Sequence, residues 1–313
     1  MLAPERFVTG SRPHLMRAML KSWPLDQQRA FFERDLKIRL TLEEETGKLF
    51  PESDRARDVR DGLVRFAGDH GVRLMFGTSV TDVSACPNGW LLETSRGQMF
   101  AERVVIATGG LSVPATGSDG VGLRIALKLG HREEPTYPAL TPLVADFVNG
   151  HPHSALAGVS LNVRLRARVD DRTTETSGGF LFTHRGYSGP AVLDISHVAR
   201  QAKHLVAAPP GTAARQRPVI RVQWAALGAA QWTRELDAGR SLATSVLTRH
   251  VPNRLAERLM NETDVPKDRR GSDLRRSERA ALVERLTSYE LPWTGDEGYR
   301  KAESPVGASR WTS

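Results

Sequence analysis

The chain has 313 residues, 26% charged and 40% hydrophobic, with a formal net charge of +8. That length supports two or three domains with cores of their own, and the balance is that of a soluble globular protein. Cys86 is the single cysteine, which excludes an internal disulfide and a cysteine-built zinc site. No run of about eighteen apolar residues is present to span a bilayer, and the opening MLAPERFVTGSRPH has no apolar signal core, so a cytoplasmic location with no membrane partner is expected. The arginines are scattered and no basic block is interleaved with aromatics, the pattern of a solvated surface, so no nucleic-acid partner is expected.

The first forty residues read as helices broken at Pro24, with His14, Met16, Met19 and Leu20 before it and Leu25, Ala30, Phe31 and Phe32 after it. An extended stretch from Leu36 to Leu42 follows, and Gly47 to Pro51 turns the chain. Ser53 is the expected N-cap of a helix from Asp54 to about Gly68, in which Val59, Leu63, Phe66 and Ala67 make one apolar stripe. After Gly71, Val72 to Phe76 reads as a strand, giving the helix-then-strand rhythm of an α/β crossover unit. From Thr78 to Phe100 the pattern is an antiparallel meander with turns at Asn88-Gly89 and Arg96-Gly97. Arg103 to Ala107 carries the apolar run VVIA, expected of a strand buried on both faces. It ends at Thr108-Gly109-Gly110, and a glycine-rich stretch from Gly117 to Gly122 opens the helix GLRIALKLG.

Beyond Pro135 the texture turns β-rich. Leu161 to Val169 alternates apolar residues with arginine, a strand with one wet face. Further strands are expected into Phe182 and over Val219 to Val222, with a helix from Pro190 to Arg200. From about Gln231 to Tyr289 the pattern is helical, with apolar stripes at Leu242, Val246 and Leu247, at Leu255 and Leu259, and at Leu274, Ala281, Leu282 and Leu286. His151 and His153 flank Pro152 in a loop with no further ligand nearby in sequence, so no metal site is expected.

The segment VVIATGGLSVPATGSDGVG, Val104 to Gly122, carries the most chemistry. Gly109 and Gly110 lack a Cβ and let a ligand approach the backbone, and the next helix offers amides that suit a phosphate. A strand-to-helix turn with no ligand is the alternative. This segment, with LFTHRGYSGPAVLDIS at Leu181 to Ser196 and DEGYRKAE at Asp296 to Glu303, resembles the bacterial NAD(P)/FAD-dependent, aminoacetone-oxidase-like oxidoreductases, a family of predicted flavoproteins. GKLFPESDRARDV and GVRLMFGTSVTDV match more weakly.

The resemblance implies an α/β (α+β) fold: an incomplete glutathione-reductase-type FAD-binding domain with an inserted β-barrel domain and a helical subdomain. It places the partial FAD-binding domain at residues 1–135, the barrel at 136–228 and 288–303, the helical subdomain at 229–287 and an aberrant tail at 304–313. Carried onto this chain, Ala107, Thr108, Gly109 and Gly110 would lie beside FAD, Ser112, Pro114 and Gly117 in the same loop, and Val80 against the adenine. Thr183 and His184 are the candidate polar contacts to a small-molecule substrate, with a structural histidine the alternative for His184. FAD is the implied cofactor and NAD(P)H the implied nicotinamide partner; the substrate is not implied.

Two family elements have no counterpart in these residues: the strand, GxGxxG and helix that hold the pyrophosphate, and a GGGRCNxTN stretch. The family also continues after EGYRKAE with VTxGGV. With one permitted codon choice, restoring a G after the Glu303 codon makes the tail read V-T-R-G-G-V-A-L-D-E, so a one-base deletion is expected; an unbroken frame on resequencing refutes it. Weak FAD binding, a colourless purified protein and a first domain of low stability are therefore expected. The readings in play are a FAD-dependent oxidoreductase impaired in this chain, a non-catalytic fragment or pseudogene product, and, last, a basic nucleic-acid-binding module using the strand Leu161 to Val169.

Overall fold

The computed structural model describes residues 13–44, 47–133, 136–169, 172–198, 218–238, 241–306 and 309–310. They fall into two compact units, Met1–Val104 and Val105–Ser313. No helix among the described residues is long and apolar enough to cross a membrane.

The first unit begins with α1 (Pro13–Ser22) and α2 (Leu25–Ala30), and α2 runs on into a wider π-helical turn, Phe31–Asp35. Strand β1 (Leu40–Glu43) then pairs antiparallel with β2 (Lys48–Pro51). The stretch expected to turn the chain is thus mostly strand, and its glycine, Gly47 at φ +68°, stands at the strand's entry. Helix α3 (Ala56–Asp69) is capped at Arg55 rather than Ser53. The Ser53 hydroxyl instead bonds the Asp58 carboxylate, which takes it away from the helix amides. Gly62 seats α3 on Leu36 and Ile38, and a Cβ there would stand 2.9 Å from Ile38 Cδ1. Leu63 of the expected stripe stays exposed.

The meander forms as read: β3 (Val80–Cys86), β4 (Gly89–Thr94) and β5 (Gly97–Ala101) pair in order, all antiparallel. Asn88 at φ +66° and Gly97 at φ +106° supply the left-handed residues that these tight turns need. Val72 to Phe76 is not a strand, and Phe76 is 70% exposed. A two-sided apolar strand is stable only between neighbours, and among the described residues this segment has none. Arg103 to Ala107 departs from expectation for the same reason: it joins no ladder and Val105 is 88% exposed.

The second unit starts at that segment and continues into α4 (Val121–Lys128), the helix expected from the glycine-rich stretch. Short strands β6 (Arg132–Glu133) and β7 (Tyr137–Ala139) follow. Its body is a seven-stranded antiparallel sheet built from β8 (Leu143–Val144), β9 (Ser160–Val169), β10 (Arg172–Phe182), β11 (Gly186–Ser188), β12 (Ile220–Gln223), β13 (Tyr289–Glu290) and β14 (Gly295–Asp296). Their spatial order is β13-β12-β9-β10-β11-β8-β14. Along β9, Val163, Leu165 and Ala167 are buried while Arg164, Arg166 and Arg168 are exposed, the single wet face that the alternation predicts.

Helix α5 (Pro190–Ile195) packs on β10, and after a turn at Ser196 the chain is helical again at His197 and Val198; the predicted end at Arg200 lies outside the described residues. Between β12 and β13 run α6 (Ala229–Asp237), α7 (Ala243–Leu247), α8 (Asn253–Glu262) and α9 (Arg276–Thr287). Apart from Leu242, which precedes α7 and is exposed, their apolar stripes join the sheet in one core that includes Phe180, Phe182, Ile195, Trp224, Trp232, Leu247, Leu259 and Leu282. The tail continues as β15 (Ser304–Val306), antiparallel to β7, and β16 (Ser309–Arg310), antiparallel to β6.

Candidate functional site

The loop that sequence singles out stays together as one feature. Ala107, Thr108 and Gly109 are exposed, Gly110 is half-buried and Ser112 is buried. Gly109 takes a left-handed conformation at φ +73°. Gly122 allows α4 to press on the segment, since a Cβ there would stand 2.2 Å from Thr108 Oγ1 and 2.6 Å from Ile106 Cγ2. Pro114 opens one short 3-10 turn, Pro114–Thr116, and Gly117 at φ +98° closes it; both are exposed. The Val113 N–H donates to the Tyr299 carbonyl at 2.9 Å, which ties this loop to the DEGYRKAE motif. Val80 belongs to the other unit, where it opens β3 opposite Thr94.

A dinucleotide needs free helix amides at its pyrophosphate. Here the Val121 N–H donates to the Asp119 carboxylate at 3.0 Å. An anion already occupies the place a phosphate would take, and its charge would repel one. The described residues offer a backbone face at Ala107 to Gly109 but no phosphate anchor, so by themselves they do not fit FAD.

Thr183 and His184 stand at the turn between β10 and β11. The Thr183 hydroxyl accepts the Gly186 N–H at 3.0 Å and the Arg185 N–H at 3.3 Å, and the Thr183 N–H donates to the Gly186 carbonyl at 2.8 Å. Its side chain is engaged in holding the turn, while His184 is exposed at the tip. The glycines of this motif answer to packing. A Cβ on Gly186 would lie 2.1 Å from the Leu143 carbonyl oxygen, and Gly189 at φ +97° sits where a Cβ would be 2.5 Å from the Gly179 oxygen. Pro190 takes the first turn of α5, where its missing N–H costs nothing.

The structure assembles a polar cluster that sequence reasoning set aside. His153 is buried, with Nδ1 3.0 Å from the Tyr187 hydroxyl and Nε2 2.9 Å from the Tyr289 hydroxyl. The Tyr289 hydroxyl donates to Glu262 Oε1 at 3.3 Å, and Arg258 Nε donates to the same oxygen at 2.6 Å. Burial alone would push the Glu262 carboxyl up, but His153 and Arg258 beside it outweigh that and hold it down to about 2. It is therefore an acceptor only. Tyr289 gives its proton to Glu262, so its oxygen is free to accept from His153 Nε2, and the Tyr187 hydroxyl closes the chain at His153 Nδ1. Burial raises both tyrosines well above their ordinary value, which keeps both hydroxyls protonated as donors. His151 lies edge-on to Tyr187, and burial, then His153 beside it, lower its pKa. Among the described residues no group of three or more His, Cys, Asp or Glu is placed to hold a metal ion. The partners of His153 lie 34 and 136 residues away, so no local spacing could reveal them.

A family model described as the HI0933-like protein Rossmann domain matches residues 2–212, and one described as the HI0933-like protein barrel and H2TH domain matches residues 137–304. The chain is 31% identical over 265 residues to a ribosomal RNA dihydrouridine synthase of Escherichia coli, covering 85% of this chain and 62% of that protein. It is 27% identical over 274 residues to a protein of the same name from Haemophilus influenzae, covering 85% of this chain and 63% of that one. It is 29% identical over 193 residues to a 3-dehydro-bile acid delta(4,6)-reductase of Clostridium scindens, covering 61% of this chain and 46% of that protein. The chain thus spans less than two thirds of the length of each of these relatives.

Proposed function

The chain belongs to the HI0933-like protein family, and from that premise we propose that its activity is that of a flavin-dependent oxidoreductase with FAD as cofactor. The observation that carries the reading is the Rossmann-domain match across residues 2–212, which includes the whole Ala107 to Gly117 loop. The reaction class is saturation of a ring carbon–carbon double bond, since dihydrouridine and a delta(4,6)-reduced bile acid are both products of that kind. NAD(P)H is the reductant of this reading, and the substrate is a small molecule or a nucleobase. The same reading divides the chain into a partial FAD-binding domain at 1–135, a barrel at 136–228 and 288–303, and a helical subdomain at 229–287.

For this polypeptide taken alone a second reading is favoured, that of a non-catalytic chain. Its support is Asp119 on the first amide of α4 and the strandless run through Val105. Titrating purified protein into FAD and following flavin fluorescence tests both readings. The expected result is colourless protein and weak, saturable quenching on the order of millimolar affinity, abolished by Thr108→Glu on the exposed loop face. No interaction at any FAD concentration overturns the flavin reading. Yellow protein with stoichiometric FAD overturns the non-catalytic one.

A further inference from the structure

Charge is concentrated in one place within the helical part. Val265 to Arg279, the turn between α8 and α9 with the first turn of α9, holds six basic and three acidic residues. Two of the acids bond within the segment itself: the Glu278 carboxylate accepts the Arg275 N–H at 2.8 Å, and the Asp273 carboxylate accepts the Ser272 hydroxyl at 3.1 Å. Lys267 is paired with Glu257 at 2.6 Å and Arg279 with Asp237 at 2.9 Å, while the Arg269 guanidinium reaches the Asp273 carbonyl. That leaves Arg270, Arg275 and Arg276, all exposed and with no ion pair among the described residues, against two exposed acids, Asp268 and Asp273.

The turn that carries them is rigid. The Gly271 N–H donates to the Ser241 carbonyl at 3.1 Å, the Ala243 N–H to the Arg269 carbonyl at 2.9 Å, and the Thr244 hydroxyl to the Lys267 carbonyl at 3.0 Å. A Cβ on Gly271 would lie 2.2 Å from the Leu236 oxygen, so the backbone is pressed against α6. Val265 and Leu274 anchor both ends in the core. Three guanidinium groups are thereby presented from a fixed backbone, which lowers the ordering cost of binding.

We propose that this turn is a docking surface for the phosphate backbone of RNA. Guanidinium forks match phosphate oxygens in geometry and charge. The three arginines are spread over an exposed turn and the start of α9, so they suit successive phosphates of a polymer better than one enclosed anion. On the other arginine-bearing face the guanidinium groups are already engaged: on β9 and β10, Arg164 and Arg166 share the Glu175 carboxylate. The inference rests on the reductase reading only in choosing RNA as the polyanion, in keeping with the relatives named for ribosomal RNA.

The test is fluorescence anisotropy of a labelled stem-loop RNA with the full chain at several salt concentrations. Arg270→Ala/Arg275→Ala/Arg276→Ala is expected to weaken binding roughly tenfold or more and to lower the salt slope by about 2. Lysine at the same three positions is expected to retain the slope, and Arg164→Ala/Arg166→Ala to leave affinity unchanged. An unaltered slope in the triple alanine variant overturns the proposal, as does wild-type binding to duplex DNA or phosphatidylserine vesicles as tight as to RNA. The assay contains no flavin, so its failure leaves the FAD titration untouched, and the converse holds.

Discussion

Gly186→Ala is expected to destabilise the second unit by about 3 kcal/mol or more. The added methyl would lie 2.1 Å from the Leu143 carbonyl oxygen and 2.8 Å from the Val144 Cα. Both are backbone atoms, so no rotamer change relieves the clash. Gly186 pairs with Val144 across β11 and β8, and β8 in turn carries β14, so any shift propagates to the end of the sheet. Phe182, Tyr187 and Trp224 pack just inside this corner and would lose their close contacts. For a unit of this size the loss corresponds to a fall in thermal midpoint of roughly 6–12 °C. Circular dichroism melts of the two proteins check it. Gly68→Ala is the contrast: nothing lies within 4 Å of a Cβ there, and the position is within a helix. That change is expected to stabilise by up to about 1 kcal/mol. Equal melting of wild type and Gly186→Ala would show that the sheet edge yields more easily than its packing implies.

The contrast between glycines bears on how much of the molecule is legible in its sequence. Signals in the sequence are legible where the physics is local. Asn88-Gly89 needs a left-handed residue, and the meander formed around it. The arginine alternation from Leu161 to Val169 needs one wet face, and β9 has one. The runs Val72 to Phe76 and Arg103 to Ala107 state a requirement instead: each needs neighbours on both sides. Whether neighbours exist is not written in the run, and among the described residues none are present. The loop from Ala107 to Gly117 was found because its residues are adjacent in sequence. Thr183 is a candidate substrate contact because the motif around it is distinctive, yet hydrogen bonding within the turn accounts for it, as close packing does for its neighbours Gly186 and Gly189. The His153 cluster escaped for the opposite reason. Its members come from a loop, two strands and a helix far apart in the chain, and only the folded sheet brings them within hydrogen-bonding distance.

That cluster carries the other large expected effect. Glu262→Gln is expected to lower stability near pH 7 by about 2 kcal/mol, less than the full carboxyl shift corresponds to because Arg258 is partly solvated. Glutamine keeps the shape but removes the charge that accepts from both Arg258 Nε and the Tyr289 hydroxyl. In the wild type the folded carboxyl titrates at about 2, against 4.5 for an unperturbed one. Between those values the unfolded chain binds more protons than the folded one. Glu262 therefore contributes its full stabilisation above about pH 5, and the contribution is lost as pH falls towards about 2. The glutamine variant has no such group, so the two stability curves are expected to converge as the medium is acidified, with their gap widest at neutral pH. Urea unfolding at a series of pH values reads this directly, and curves that stay parallel down to about pH 3 would refute it. His153→Ala extends the test to the other end of the chain of donors. It leaves the Tyr187 hydroxyl buried without its imidazole partner and opens space beside Phe182 and Tyr289, so its deficit, about 3 kcal/mol, is expected to persist at low pH where that of Glu262→Gln has gone. The two variants thus separate the charge at Glu262 from the imidazole that joins the two tyrosines.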